Sequence, residues 1–362
     1  MPPQFDDPLP KVCGIDRSQR LHRIVDFFSA AQAVDECSLY VPLASTFDDA
    51  NEAIDAAMEV LSIAAGPCAG ITTHFGTAED FIRYQRQVAN RNYVSCWTHT
   101  KESVAMWALY SRDESSVQLT TTVSHLERAA TDFARNFSNP LKAIADGSAN
   151  DQFVDYSKIV AVRYENWKSI ARGIDRRRRA YDKIDAAGRI PAEPTALGRS
   201  FREGKRAIQY RFEAMEHKDE SFSHEAEVRL ILNCAHYNAQ TLKMAQNAIA
   251  GMISRPDTDI NHPDHERVML MYARALLREE AWKMNIPCQP QVFLPLHSNF
   301  VSEVTIDPRC SQHKRQFMKE FFEARGIPVS ESTCFGHAAH QLAVKARRRL
   351  AAKRNVGPTS CD

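Results

Sequence analysis

Between Val117 and Val123 the side chains alternate. Val117, Leu119, Thr121 and Val123 point one way, and Gln118, Thr120 and Thr122 the other, which predicts a strand. Upstream, Tyr93–Trp97 is a short run of aromatic and branched residues suited to a pleated surface. A polar break follows at Thr98–Lys101, and Glu102 and Ser103 lead into a compact segment, Val104–Tyr110. There Ser103, Met106, Trp107 and Tyr110 recur at three- and four-residue spacing, so they share one helical face. A strand–helix–strand unit is expected. Its tryptophans, tyrosine and threonines suit the wall of a polar ligand site, and they suit a packed core equally well.

The same reading applied outward gives the rest. Residues 1–20 open with four prolines before position 18 and no periodicity, predicting a loose arm. Leu21–Val25 reads as a strand, with Asp26 capping a helix over Phe27–Val34. Cys37–Leu43 reads as another strand, and Pro42 puts it at an edge. Helices are expected over 48–65, 77–91 and 124–145, the last with Ser124 as its N-cap. Val154–Tyr156 and Ile159–Val162 form a strand pair or one bent strand. Glu225–Leu232 reads as a strand with Glu225, Glu227 and Arg229 on one face and Ala226, Val228, Leu230 and Leu232 on the other. Helices over 239–254 and 263–285, strands at 291–296 and 301–306, and a helix Ser311–Arg325 stopped by Gly326 complete the pattern. The predicted class is α+β: a mixed, mostly antiparallel sheet flanked by helices, one domain over 21–335.

Composition changes the picture in one place. The 362 residues are 44% hydrophobic with a net charge of +1, enough for a core and too balanced to select a partner. Between Arg163 and Arg211, however, fourteen Lys or Arg face six Asp or Glu. This basic helical insertion, centred on Arg176, Arg177, Arg178 and Arg179, is either a solvated helical face or a surface for the phosphates of a nucleic acid. The tail 336–362 is basic too. Nine scattered cysteines without a C-x-x-C pair fit reduced thiols in a cytoplasmic protein. No apolar leader and no run of eighteen apolar residues is present, so no membrane association is expected.

The block SCWTHTKESVAMWALYSRDESSVQLTTTVSHL, residues 95–126, resembles "SCWH…ES-x-AMW-x-x-Y…VaIrTT…L" of the bacterial family named domain-of-unknown-function 2971. Leu21, Arg23, Leu39, Tyr40, Phe47, Asp49 and Glu52 are similar to that family's opening. FEAMEHKDESFSHEAEVR, residues 212–229, resembles its "F…K-R-x-x-F-x-h-E-x-E-v-R" element, and 301–332 resembles its ending "V-x-x-I-D-P…F…G-I-x-V-x-x-S", so the resemblance spans about 21–334. Ile24 departs from the family's Tyr, Ala50-Asn51 from its Pro-Phe, Asp219 from its Arg and Thr120 from the Arg before its paired threonines. The family's biochemistry is undefined, so the resemblance implies an architecture rather than an activity.

A second, local resemblance concerns chemistry. An Arg on the first long strand, a hydroxyl-rich strand and an E-x-E heading an apolar strand resemble the R-S-E signature of arginine-type ADP-ribosyltransferases. That resemblance implies NAD as cofactor, Arg23 on its phosphates, and Trp97, Tyr110, Thr120, Thr121 and Thr122 as the wall of the nicotinamide pocket. It implies Glu227 as the carboxylate facing the positive charge that develops as nicotinamide leaves, with Glu225 as its partner, and a bacterial defence or toxin system as the setting. The alternative is a non-catalytic module that binds nucleic acid or a protein partner. Elsewhere the chemistry is sparse. His99 is a general base or a turn cap, and Cys96 reads as a structural thiol. His262, Asp264 and His265 have no second cluster to complete a metal site, so no metal is expected.

Overall fold

The computed structural model describes residues 9–49, 53, 89–137, 152–169, 172, 215–253, 269, 273, 277, 288–332 and 334–336. Its strands are β1 Lys11–Cys13, β2 Arg20–Asp26, β3 Ser38–Pro42, β4 Asn92–Thr98, β5 Ser116–Thr122 and β6 Gln152–Ala161. β7 Arg163–Tyr164, β8 His217–Lys218, β9 Glu227–His236, β10 Gln291–Pro295, β11 Glu303–Ile306 and β12 Val329–Glu331 follow. The helices are α1 Phe27–Asp35, α2 Val104–Tyr110, α3 Val123–Asn136, α4 Ala239–Ile253 and α5 Gln312–Glu323.

Eight strands form one sheet in the order β1-β6-β9-β4-β2-β5-β11-β12. β1–β6 and β11–β12 pair in parallel, and the five pairings between β6 and β11 are antiparallel. The α+β class and the mostly antiparallel sheet are as the alternation predicts. Part of the arm expected to be loose is instead an edge strand, because Lys11–Cys13 finds unpaired backbone along Lys158–Val160. β6 is one strand with a bulge between Val154 and Tyr156, the bent alternative of the two expected. Among the described residues β3 pairs only with β10.

Local chemistry explains the helix starts. Asp26 accepts from the Ser29 amide at 2.9 Å. Ser103 caps α2. Thr122, not Ser124, caps α3 through the His125 amide at 3.2 Å, since the strand carries straight into the helix. Gly326, at φ +74, lets the chain turn after α5.

The sheet's two faces differ in kind. Leu21, Tyr93, Trp97, Val117, Leu119, Val228, Leu230 and Leu232 put one face into the main apolar cluster, with Ala30, Ala33, Leu126, Phe133, Met318 and Phe322 from α1, α3 and α5. We call this the first face. On the second face Val94, Val160 and Ile231 form a smaller apolar cluster with Ala44, Ala53, Ala89 and Met215, and beside it lies a group of buried polar positions that includes His22, Thr98, Gln118, Thr120, Glu227 and Arg229. The helices and strands expected at 54–88, 138–150 and most of 254–287, the basic insertion beyond Arg172 and the tail beyond Gly336 lie outside the described residues. Among the described residues no helix is long and apolar enough to cross a membrane.

Candidate functional site

Strand register assigns every candidate to a face, because side chains directly opposite in a ladder lie on the same side. Glu303 is opposite Thr120, Thr120 opposite His22, His22 opposite Thr98, and Thr98 opposite Glu227. These residues make one polar row across β11, β5, β2, β4 and β9 on the second face. Strands lie about 4.8 Å apart, so His22 and Glu227, two strands apart, are separated by about 10 Å at the backbone. Thr98, Thr120, His22 and Glu227 are all buried.

At the row's β9 end two acids and two cations interlock. Arg229 donates to both Glu227 oxygens, Nε to Oε1 at 2.8 Å and Nη2 to Oε2 at 3.2 Å. Its Nη1 donates to the Met215 carbonyl at 3.0 Å. Lys218 Nζ lies 2.7 Å from Glu225 Oε2 and 3.5 Å from Glu227 Oε2. The Tyr110 hydroxyl donates to Glu225 Oε1 at 2.6 Å, which draws α2 over this face. Tyr164 Oη accepts from the Glu227 amide at 2.7 Å. Tyr110 is half-exposed while the four charged groups are buried or nearly so, so the tyrosine is the network's outer end.

Burial would raise the Glu227 carboxyl. Arg229, through charge and hydrogen bonds, then Lys218 and the Cys96 thiol more than offset it, and Glu227 titrates below the ordinary carboxylate range. Burial depresses Lys218, but Glu227 and Glu225 raise it further, so it stays a cation. Burial, reinforced by Glu225, pushes the Tyr110 phenol up. Burial also pushes Tyr164 up to about 12.

The middle of the row is neutral. His22 Nδ1 is 3.0 Å from Thr120 Oγ1, and burial, then the charges of Arg20 and Lys101, push its pKa down to about 4. The unfolded chain therefore binds a proton at His22 that the folded chain refuses between about pH 6.5 and 4. Stability at this residue is full above that window and falls as pH drops through it. By this linkage His22→Gln removes roughly 2–3 kcal/mol of the wild type's loss between pH 7 and pH 4. Urea unfolding at both pH values measures it, and identical losses in the two proteins would contradict the placement. At the row's far end Glu303 holds Arg20 at 2.8 Å and Lys101 at 2.9 Å.

The structure sorts the sequence candidates unevenly. Glu225, Glu227 and Tyr110 come together, and Thr120 joins their row. Thr122 shares that face, but its hydroxyl caps α3. Arg23, Trp97 and Thr121 do not join them. Arg23 is opposite Leu119 and donates Nη1 to Ser95 Oγ at 2.8 Å, which puts it on the first face with Trp97 and leaves the sheet between it and Glu227. The placement of Arg23 on phosphates beside Glu227 is therefore corrected, because neighbouring positions of one strand point opposite ways.

The E-x-E is corrected as well. β9 begins at Glu227, and Glu225 ends a 3-10 turn, Glu220–Glu225, with Ala226 left-handed at φ 44. The two acids converge through Lys218 rather than through the pleat. The Arg229–Glu227 pair is buried, not a surface ladder. His99 is exposed, its amide donating to the Ala226 carbonyl at 3.4 Å. Cys96 is part-buried on the second face beside Glu227.

His22, Thr98 and Lys218 were missed by sequence reasoning. The alternation in LHRIVD offered both His22 and Arg23, and only the pairing with β4 chooses between them. Lys218 was visible in the FEAMEHKDESFSHEAEVR element, but nothing local says that it bridges both acids. Arg176–Arg179 and His262, Asp264 and His265 lie outside the described residues. No family model, curated protein or solved structure matches the chain.

Proposed function

We propose that the protein is an NAD-using, ADP-ribosyltransferase-like enzyme whose site is the polar row on the second face. The observation that carries the reading is the alignment of His22, Thr98 and Glu227 across three adjacent strands. A glycosidic bond to nicotinamide breaks through a transition state with positive charge on the ribose. Glu227, kept ionised by Arg229 and Lys218, is a fixed negative charge in a desolvated place, the environment in which such a charge acts most strongly. Neutral His22, Thr98 and Thr120 supply hydrogen-bonding groups for the sugar and carboxamide, and half-exposed Tyr110 a ring at the entrance. On this face the cations that meet phosphates are Lys101 and Arg20 at the row's other end, not Arg23.

Calorimetry with NAD and an NAD-hydrolysis assay test this. Glu227→Gln is expected to keep NAD binding and to lose about 10²-fold or more in turnover. Turnover equal to wild type removes Glu227 from the mechanism.

A second reading has a specific observation behind it: both Glu227 oxygens are already engaged, by Arg229 and Lys218. On that reading the network is structural, and the protein is a non-catalytic module working on nucleic acid or a protein partner through its basic segment. It predicts no NAD binding in the wild type and a nucleic-acid affinity that falls steeply with salt. An affinity indifferent to salt counts against it.

A further inference from the structure

On the first face Arg23 differs from Arg229 and Arg309. Arg229 is paired with Glu227 and Arg309 with Asp307, whereas Arg23 has no carboxylate partner among the described residues. Its Nη1 donates to Ser95 Oγ at 2.8 Å and reaches the Tyr40 carbonyl at 3.4 Å. Its guanidinium carbon lies 5.9 Å from the centre of a Trp97 ring. Ser95 is itself held, accepting from Trp97 Nε1 at 2.9 Å, and Trp97 packs on Phe300 with ring centres 6.0 Å apart. The guanidinium is thus fixed on one side by a rigid, buried platform.

A guanidinium has five N–H donors. The contacts above use Nη1 alone, so the edge formed by Nε and Nη2 has no protein acceptor among the described residues. That edge accommodates a carboxylate or a phosphate through two parallel bonds. Arg23 retains part of its surface in solvent, while its burial pulls the pKa below the usual value and the titratable groups acting on it are a thiol, Cys96, and a phenol, Tyr40. A partly desolvated cation with no anion beside it among the described residues is costly unless something negative completes it.

We propose that Arg23 is an anion-binding residue of the first face, which takes a carboxylate or phosphate group on its Nε–Nη2 edge. Its position is separate from the polar row, since the sheet lies between them, so its test is independent of NAD chemistry.

The test uses the full chain at constant ionic strength, with chloride exchanged for inorganic phosphate in one series and for acetate in the other. Thermal unfolding of the wild type is expected to move upward saturably with at least one of them, and the responding series names the ligand class. Arg23→Gln is expected to abolish that dependence. Without either anion it should unfold at a temperature no lower than the wild type, because the change removes a desolvated charge rather than a bond to an acid. Arg23→Lys keeps the charge, loses the fork and should bind at least about tenfold more weakly. A wild type indifferent to both anions overturns the proposal, as does Arg23→Gln with an unchanged response. Should Arg23→Gln fail to fold, Arg23→Lys decides, and an affinity equal to wild type overturns the proposal.

Discussion

Replacing Arg229 by Met is expected to lower the free energy of unfolding by about 3–5 kcal/mol, the usual consequence of removing one partner from a buried ion pair. Arg229 is 1% exposed, so no water takes over its hydrogen bonds to the two Glu227 oxygens and to the Met215 carbonyl. Lys218 remains, but it stands 3.5 Å from Glu227 and is shared with Glu225. The double variant Glu227→Gln/Arg229→Met should recover a large part of the loss, since it removes the stranded charge as well. Urea denaturation of wild type, both single variants and the double variant gives the cycle. A loss below about 1 kcal/mol for Arg229→Met, in the range of exposed pairs, would show that the pair is not closed off from solvent.

The acid limb offers a check on the same residues. Glu227 titrates lower in the folded chain than in the unfolded one. Its contribution is therefore complete above the unfolded carboxylate value, about 4.3, and disappears as pH falls through the folded value. In Arg229→Met that part of the acid dependence should shrink, because the cation that depressed Glu227 is gone.

This network also shows where sequence reasoning stops. The face of Glu227 and Arg229, opposite that of Val228, Leu230 and Leu232, is legible from alternation alone. So are the strand at 116–122, the Asp26 cap and the helix that follows it, each fixed within a few residues of chain. Alternation placed Glu225 on the same strand, whereas Ala226 takes the left-handed conformation, uncommon outside glycine, and ends the 3-10 turn before the strand begins. Arg23 entered as what the R-S-E resemblance implies, and nothing local pointed to His22. Which of two neighbours faces the acid depends on the His22–Thr98 register, a contact between residues more than seventy positions apart. Alternation assigns sides within a strand. The sheet assigns partners.

The sharpest expression of that division is a pair of neighbours on β4. Trp97→Ala is expected to cost about 3–5 kcal/mol, as truncation of a buried aromatic does, whereas Cys96→Ala should cost about 1 kcal/mol or less, a small side chain lost from a part-buried site. Trp97 is 2% exposed, lies in the main apolar cluster and packs against Phe300. It also supplies the ring under Arg23 and donates to Ser95, so its removal disturbs the first face only. Accordingly, a Trp97 variant that still folds should lose the anion response of Arg23 while leaving the His22-dependent part of the acid profile as in wild type. Cys96→Ala should do neither, apart from a small upward drift of Glu227, whose ionised form the thiol favours. Equal costs at the two positions would mean that the strand does not present its side chains as the register requires, and the separation of Arg23 from Glu227 would go with it.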